Sequence, residues 1–353
     1  MSTLRAKAPL LLLAGLGCLL GFVLLEAGAR FAAVIAERRE GRIDRDLDRV
    51  KPPTRGSSAT LGQIIRRSTD PRIVYELRPR LDVRFAGARM TTSDSGHRGA
   101  DVSAKGRGVV RVVGIGDSYM FGQGVADEDT YLAHLPGAMT RAGGPPLETV
   151  NLAVPGYNTA MEVAALRSRI GALEPHVIVI EIVGNDLDLP NFLWSSVDMW
   201  TPRRSFLFDF VRGRLAGVRE TSSGLSEAHD EGTGERSRFS RDDVPPQYVA
   251  LVGLPSFAAA IAELASLGRE RDIPVLAMTH GVWFEADMLA TLESNRVPVL
   301  VLRGALRREA RRLGAPDYAR SPLALSATDL HPSAAGHAFI AEELAHWLKP
   351  QLR

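Results

Sequence analysis

The sequence predicts a doubly wound α/β fold, a parallel sheet with helices packed on both of its faces. One observation is a pair of near-continuous apolar runs rich in β-branched residues, at Val109–Ile115 and Val177–Val183, with further strands read at Leu147–Leu152 and Ile273–Met278. Strands covered on both faces read this way, whereas half-exposed strands alternate. Stretches of helical character, Thr130–Ala142, Ala160–Leu173 and Ser256–Arg269, separate the runs, as the crossovers of a parallel sheet require. The third observation is where the runs stop: at Gly116-Asp117-Ser118, at Ala153-Val154-Pro155-Gly156, at Gly184-Asn185-Asp186 and at Thr279-His280-Gly281. Ligands of open α/β sheets bind beyond the carboxyl ends of strands, so these turns face the expected crevice.

Taken in order, the chain opens with Arg5 and Lys7 and then an uncharged apolar run from Ala8 to Leu25. As a helix it is long enough to cross a hydrocarbon core of about 30 Å. Ala27-Gly28-Ala29 resembles a small-residue cleavage site, but the run exceeds the usual signal-peptide core of about 7 to 15 residues, which favours an uncleaved anchor. Arg5 and Lys7 before the run and Arg30, Arg38, Arg39 and Arg42 after it leave orientation open on charge alone. Apolar sequence continues past Cys18, which makes Gly15-Leu16-Gly17-Cys18 a poor lipidation signal. Glu37 to Asp48 is densely charged with mixed sign, and Lys51 to Ala59 is rich in Pro, Ser and Gly, a stem followed by a linker. Arg72 to Phe85 alternates weakly around Pro79 and is expected to form short strands or extended chain on the main domain.

In the opening strand, Val109, Val110, Val112, Val113 and Ile115 are apolar, and Gly114 and Gly116 are expected to let the backbone turn sharply into Asp117 and Ser118. Thr130–Ala142 is read as helical through Pro136 and stops at Gly143-Gly144-Pro145-Pro146. Trp194 to Asp243 breaks the alternation. Its first half mixes aromatics with arginines, and Glu220 to Asp243 is polar and rich in glycine and serine. Placed after the third strand, this insertion is expected to serve as a lid or substrate rim.

Asp329-Leu330-His331-Pro332 precedes a helix with apolar residues Ile340, Leu344, Trp347 and Leu348 at helical spacing, and Pro332 suits a first helical turn. Residues two apart in extended chain point the same way, so Asp329 can reach Nδ1 of His331 and leave Nε2 free. That is the base half of a hydrolytic triad, with Ser118 as candidate nucleophile. Acyl transfer also needs donors for the developing oxyanion, and the sequence offers the Ser118 and Gly156 N–H groups and the Asn185 side-chain amide. Ser118, Gly156 and Asn185 each follow a successive strand, so all can converge on one sheet edge with Asp329 and His331.

Gly-Asp-Ser-Tyr-Met-Phe-Gly-Gln-Gly with Ser118, Ala-Val-Pro-Gly-Tyr-Asn with Gly156, Gly-Asn-Asp with Asn185, and Asp-Leu-His-Pro with Asp329 and His331 resemble, in order, the four blocks of the SGNH (GDSL-type) hydrolases. The resemblance spans about Arg107 to Leu348. It implies a three-layer α/β/α, flavodoxin-like fold and ester hydrolysis through an acyl-enzyme, with Ser118 as nucleophile, Gly156 and Asn185 as oxyanion donors beside the Ser118 N–H, and His331 as base. Ser95-Gly96-His97-Arg98-Gly99, together with the N-terminal anchor, is similar to membrane-attached bacterial members, which implies a catalytic domain outside the cytoplasm. The expected organisation is an anchor and stem over residues 1–43, a linker and short-strand segment over 44–106 and a hydrolase domain over 107–353 with the insertion at about 194–243. No Gly-x-Ser-x-Gly elbow is present, so the α/β-hydrolase pattern does not fit.

Composition narrows the partners. The formal net charge of +2 and the dispersed arginines give nucleic-acid binding no support. The single cysteine, Cys18, excludes an intramolecular disulfide framework and a cysteine-built metal site. The expected substrate is an acyl ester, acetyl esters included, of a carbohydrate or lipid. The membrane is met through the N-terminal helix, and neither cofactor nor metal is called for. The same site could pass its acyl group to a hydroxyl of a cell-envelope polysaccharide, as an O-acyltransferase does. Two further readings are a metal-dependent phosphoesterase using Asp117, Asn185, Asp186, His280 and His331, and an anchored binding or assembly protein with an inactive site. The metal reading lacks a leading Asp-x-His and a close histidine pair. His280 and Glu181 are expected to be structural, Glu181 as a buried, hydrogen-bonded carboxylate.

Overall fold

A computed structural model describes residues 2–40, 47, 50–102, 106, 108–190, 193, 200, 205–208, 211, 244–280 and 286–352. The chain divides into two units, Met1–Arg42 with Trp194–Pro245, and Ile43–Leu193 with Pro246–Arg353.

In the first unit, helix α1 (Ser2–Glu40) is continuous, so the charged residues from Glu37 to Glu40 extend the helix rather than open a stem. Its Leu13–Ala32 portion has mean hydropathy 1.6 and is wholly unburied, a length and composition that suit a membrane anchor or a signal sequence. Glu26, a charge within that apolar portion, has its carboxylate occupied. It accepts from Arg30 Nε at 2.8 Å, Ser205 Oγ at 2.7 Å and the N–H groups of Phe206 and Leu207 at 3.0 and 2.9 Å. Of the insertion expected as a lid or rim, Trp194 to Asp243, only residues 200, 205–208 and 211 are described; the rest, Glu220 to Asp243 included, lies outside the described residues, as does Gly281.

The second unit begins with small elements. Strand β1 (Ser58–Ala59) is followed by helix α2 (Leu61–Ile64), β2 (Ile65–Arg67), β3 (Tyr75–Leu77), β4 (Asp82–Phe85) and β5 (Ala88–Thr91). β1 pairs parallel with β4, β4 antiparallel with β5, and β2 antiparallel with β3. Ala86 and Gly87 join β4 to β5 with φ of 47° and 86°, the double left-handed geometry of a tight hairpin.

The main sheet contains β6 (Val110–Ile115), β7 (Leu147–Asn151), β8 (Val177–Glu181), β9 (Val275–Thr279) and β10 (Val299–Val301), in the order β10-β9-β8-β6-β7 and parallel throughout. The sequence reading finds four of these strands and misses β10, whose three residues are only half covered. Counted within the sheet, the order is 2-1-3-4-5, the flavodoxin-like arrangement, whose switch point falls between β6 and β8. The turns carrying Ser118 and Asn185 leave those two strands.

The connecting helices are α3 (Ser118–Phe121), α4 (Tyr131–Arg141), α5 (Thr159–Leu173), α6 (Gly253–Arg271), α7 (Ala286–Ser294), α8 (Arg303–Arg312) and, after a hairpin of β11 (Ala324–Ser326) and β12 (Asp329–Pro332), α9 (Ala334–Leu348). α4 packs on α9, and α5 and α7 pack on α6. Val113, Ile115, Ile178 and Ile180 form one buried cluster with Leu166 and Ile170 of α5 and Ile261 and Leu264 of α6. Each such side chain contributes about 1.5–3 kcal/mol on burial, and a one-residue slip of β6 would turn Val113 and Ile115 away from it. Helix α4 runs through Pro136 as expected, and the carbonyl of Leu132 that the proline leaves without an N–H accepts the Thr149 hydroxyl at 2.8 Å.

The structure corrects two expectations about local geometry. Neither Gly114 nor Gly116 has positive φ. They are glycines because a Cβ at Gly114 would lie 2.6 Å from Leu132 Cδ1, and one at Gly116 would lie 2.8 Å from Met120 Cβ. Close approach, not a sharp turn, is what they permit. Pro332 ends β12 rather than opening the helix. Ser333 caps α9, its hydroxyl accepting the Gly336 N–H at 3.2 Å.

Candidate active site

Ser118 stands at the start of α3, immediately beyond β6. Asp117 caps that helix, with Oδ1 accepting the Tyr119 N–H at 3.0 Å, and Gly122 closes it in the left-handed conformation at φ 82°. A four-residue helix between two such constraints leaves the serine little freedom.

The structure brings Asp329, His331 and Ser118 together. His331 Nδ1 is 2.6 Å from Asp329 Oδ1, and its Nε2 is 2.8 Å from Ser118 Oγ. Both side chains lie on the short strand β12, so the two-residue spacing places them as extended chain dictates. The hydrogen bond from His331 holds the Asp329 carboxyl below the usual carboxylate range, against the opposing effect of its partial burial. An ionised Asp329 keeps a proton on Nδ1 and leaves Nε2 to accept from the serine.

Gly156 and Asn185 are half-buried, as is Ser118. Gly156 has φ of 80°, and its N–H donates to no group among the described residues. A short 3-10 turn, Gly184–Leu187, presents Asn185, whose Nδ2 donates to Asp117 Oδ2 at 3.1 Å. A side-chain amide has two hydrogens, so one remains for a ligand. Asn158, the cap of α5, braces the neighbouring loops by donating to the carbonyls of Asp188 at 3.1 Å and Leu251 at 2.7 Å.

His280 and Glu181 are structural neighbours of the site. His280 Nε2 is 2.7 Å from Glu181 Oε1, and the other oxygen of Glu181 accepts the Tyr131 hydroxyl at 2.9 Å. The Tyr119 ring approaches both histidines, with centroids 4.9 Å from His280 and 4.7 Å from His331. The donors of the metal-dependent reading point to separate partners. Asp117 engages Asn185, His280 engages Glu181, and Asp186 accepts from Thr159 Oγ1 at 2.7 Å and the Val183 N–H at 2.6 Å. Among the described residues no group of three His, Cys, Asp or Glu side chains is placed to hold a metal ion.

Sequence reasoning missed two supports. Asp117 is fully buried between Ser118 and Asn185, and burial pushes its carboxyl above the ordinary value. Its place beside the candidate nucleophile was the available signal. Arg98, in the stretch Ser95–Gly99, is also buried. Its Nη1 donates to the carbonyls of Phe121 and, at 2.7 Å, Gly122, its Nη2 to Val125 O at 2.7 Å, and its Nε to Asp127 Oδ1 at 2.8 Å. The guanidinium lies 4.4 Å from the Phe121 ring centre. It therefore fastens the segment that follows the serine.

Solved structures similar to this chain include TesA (15% identity, 68% of this chain and 98% of that chain covered, TM-score 0.40). Others are a lipase/acylhydrolase from Enterococcus faecalis (14%, 69% and 97%, 0.39) and the esterase EstA from Pseudoalteromonas sp. (11%, 69% and 98%, 0.41). No curated protein matches the sequence. The model of the GDSL-like lipase/acylhydrolase family matches residues 115–339, from the last residue of β6 into α9, and the chain belongs to this family of serine hydrolases.

Proposed function

We propose that the protein is a serine esterase that cleaves an acyl ester, acetyl esters included, of a carbohydrate or lipid. The single observation that carries this reading is the unbroken contact from Asp329 through His331 to Ser118, at 2.6 and 2.8 Å. In this mechanism Ser118 Oγ attacks the ester carbonyl carbon while His331 Nε2 takes the serine proton. The Ser118 and Gly156 N–H groups and the Asn185 amide receive the oxyanion. His331 then protonates the departing alcohol, and a water, activated by the same imidazole, releases the acid from Ser118.

The same proposal assigns the apolar helix the role of anchor, with residues 107–353 as hydrolase domain, 44–106 packed with it, and the whole domain outside the cytoplasm. The unburied Leu13–Ala32 portion supports the anchor. The test is a panel of short and long acyl esters and acetylated sugars given to the full-length protein and to Ser118→Ala, with a serine-directed phosphonate as label. Turnover and labelling by the wild type alone are expected. Full activity in Ser118→Ala would refute the mechanism. Protease access to the domain from the cytoplasmic side alone would refute the location.

A further inference from the structure

Gly156 is the least protected member of the proposed oxyanion site, because a backbone N–H in a loop is only as well aimed as the peptide plane that carries it. The oxygen of that plane is the carbonyl of Pro155, and it accepts the Tyr75 hydroxyl at 2.9 Å. Among the described residues no peptide bond is cis, so the carbonyl and N–H of this unit point in opposite directions. A donor that grips the Pro155 oxygen therefore turns the Gly156 N–H away from Tyr75, and this N–H has no protein partner among the described residues.

Tyr75 is held for this task. It is wholly buried, its ring meets the Tyr157 ring edge-on with centroids 5.1 Å apart, and the Tyr157 hydroxyl donates back to the Tyr75 carbonyl. Tyr75 and the Pro155–Tyr157 loop are thus joined by two reciprocal hydrogen bonds. The loop also sits hard against the phenol. A Cβ on Gly156 would lie 3.0 Å from the Tyr75 hydroxyl and 3.1 Å from Pro190 Cβ. Burial pushes the phenol well above its ordinary pKa, so it stays a donor across the working range. Tyr75 belongs to β3, upstream of the residues 115–339 that define the family match.

We propose that Tyr75 is a positioning residue for the oxyanion site, its hydroxyl fixing the Pro155–Gly156 peptide so that the Gly156 N–H faces the reacting carbonyl. The inference rests on the acyl-transfer reading of Ser118, Gly156 and Asn185. On it, the short-strand segment ahead of the family domain is part of the working enzyme. The hydrogen bond also polarises the amide it orients, which strengthens the N–H as a donor.

The test uses full-length protein in mild detergent, p-nitrophenyl acetate as substrate, an alkylboronic acid as mimic of the tetrahedral intermediate, and phosphonate labelling to count active sites. Tyr75→Phe removes one hydroxyl and keeps the ring. It is expected to lower kcat per labelled site about tenfold, less than the 10² to 10³ lost when an oxyanion donor is deleted. KM and the pH midpoint of kcat/KM should stay put, and boronate affinity should fall by the same factor as kcat. A tyrosine with a merely structural role gives the opposite pattern, fewer labelled sites or a lower Tm with kcat per site and boronate affinity unchanged, and that result overturns the proposal. If Tyr75→Phe does not fold, Tyr157→Phe, which releases the Tyr75 carbonyl, is read by the same criteria. Activity retained by Ser118→Ala overturns the acyl-transfer reading itself, which keeps the two failures distinct.

Discussion

The side-chain amide of Asn185 donates to the buried carboxylate of Asp117, 3.1 Å away, so the turn after β8 is tied to the residue that precedes Ser118. The contact orients Asn185 before substrate arrives, which is what an electrostatic catalyst needs if reorganisation is not to be repeated at every turnover. Asn185→Ala is expected to lower kcat by roughly 10² to 10³ with little change in KM. Asp117→Asn, which keeps an oxygen for the Tyr119 N–H but puts an NH2 donor where Oδ2 accepts from Asn185, should lower kcat less, by about tenfold, and again spare KM. Steady-state kinetics on any ester the enzyme turns over decides both. A rise in KM alone for Asn185→Ala would mean that it binds substrate and transition state equally, contrary to the assigned role.

Ser118 and His331 are expected to fail together. Either single alanine variant should cost more than Asn185→Ala, and the double variant should be hardly worse than one, because nucleophile and base act as a unit. The pH dependence has a definite sign. Protonated His331 cannot accept the serine proton, so kcat/KM should fall as pH drops and the free ring nitrogen is protonated. Asp329 stays ionised there, since the bond from His331 holds its carboxyl below the usual range. Its contribution to stability is present above the unfolded value and is lost only as pH falls through the folded one. Simple additivity of the two losses, or a flat pH profile, would contradict the assignment.

How much of this was legible in the sequence follows from how local each signal is. Strands buried on both faces announce themselves through near-continuous apolar runs, so β6, β8 and β9 are readable; β7, with Glu148, Thr149 and Asn151 among its residues, is read from its place between the Gly143–Pro146 stop and the loop from Ala153, and the Asp329/His331 geometry follows from a two-residue spacing. β10 lies in an apolar run, Val297 to Leu302, but only three of its residues pair, at the sheet edge and half covered, so the run is too short to stand out between the helices around it. The glycines of β6 are visible as glycines, but whether they turn the chain or admit a neighbour depends on Met120 and Leu132, which only packing brings there. Tyr75 and Arg98 reach their partners across sequence separations of 80 and 23 to 29 residues, beyond any periodic pattern. The segment that carries them consequently reads in part as linker.

Arg98 should prove more important to stability than a loop arginine usually is. Its guanidinium is buried and supplies the donors for the carbonyls of Phe121, Gly122 and Val125. Arg98→Met is expected to cost about 3–5 kcal/mol, because it leaves Asp127 without its ion-pair partner and those carbonyls without donors. Lysine should rescue little of this, since one ammonium cannot reproduce the planar fork. Urea unfolding of the three proteins measures it. A loss under about 1 kcal/mol would place Arg98 among ordinary surface charges.

Glu162 offers a stability prediction whose sign is fixed by burial. It is in the first turn of α5 and 1% exposed, and neither of its carboxyl oxygens has a hydrogen-bond partner among the described residues. Burial pushes its pKa well above the usual value, and the nearby carboxylate of Asp186 pushes the same way. Asp186 is itself committed, its oxygens accepting from Thr159 and from the Val183 N–H that closes the turn carrying Asn185. With the folded pKa above the unfolded one, the native state holds the proton longer. Glu162 therefore costs nothing below the unfolded value, about 4.3, and costs progressively more as pH rises from there toward the folded pKa, by at most about 1.4 kcal/mol per unit. Glu162→Gln keeps the shape and cannot ionise. Wild type and variant should have similar stability near pH 4.5, and the variant should gain steadily above it, with the gap levelling once the wild-type carboxyl is ionised. Thermal or urea unfolding across about pH 4.5 to 8 reads this directly. A variant less stable than the wild type at the upper end would mean that the ionised carboxylate is favourably paired in the native state, contrary to the environment described for it.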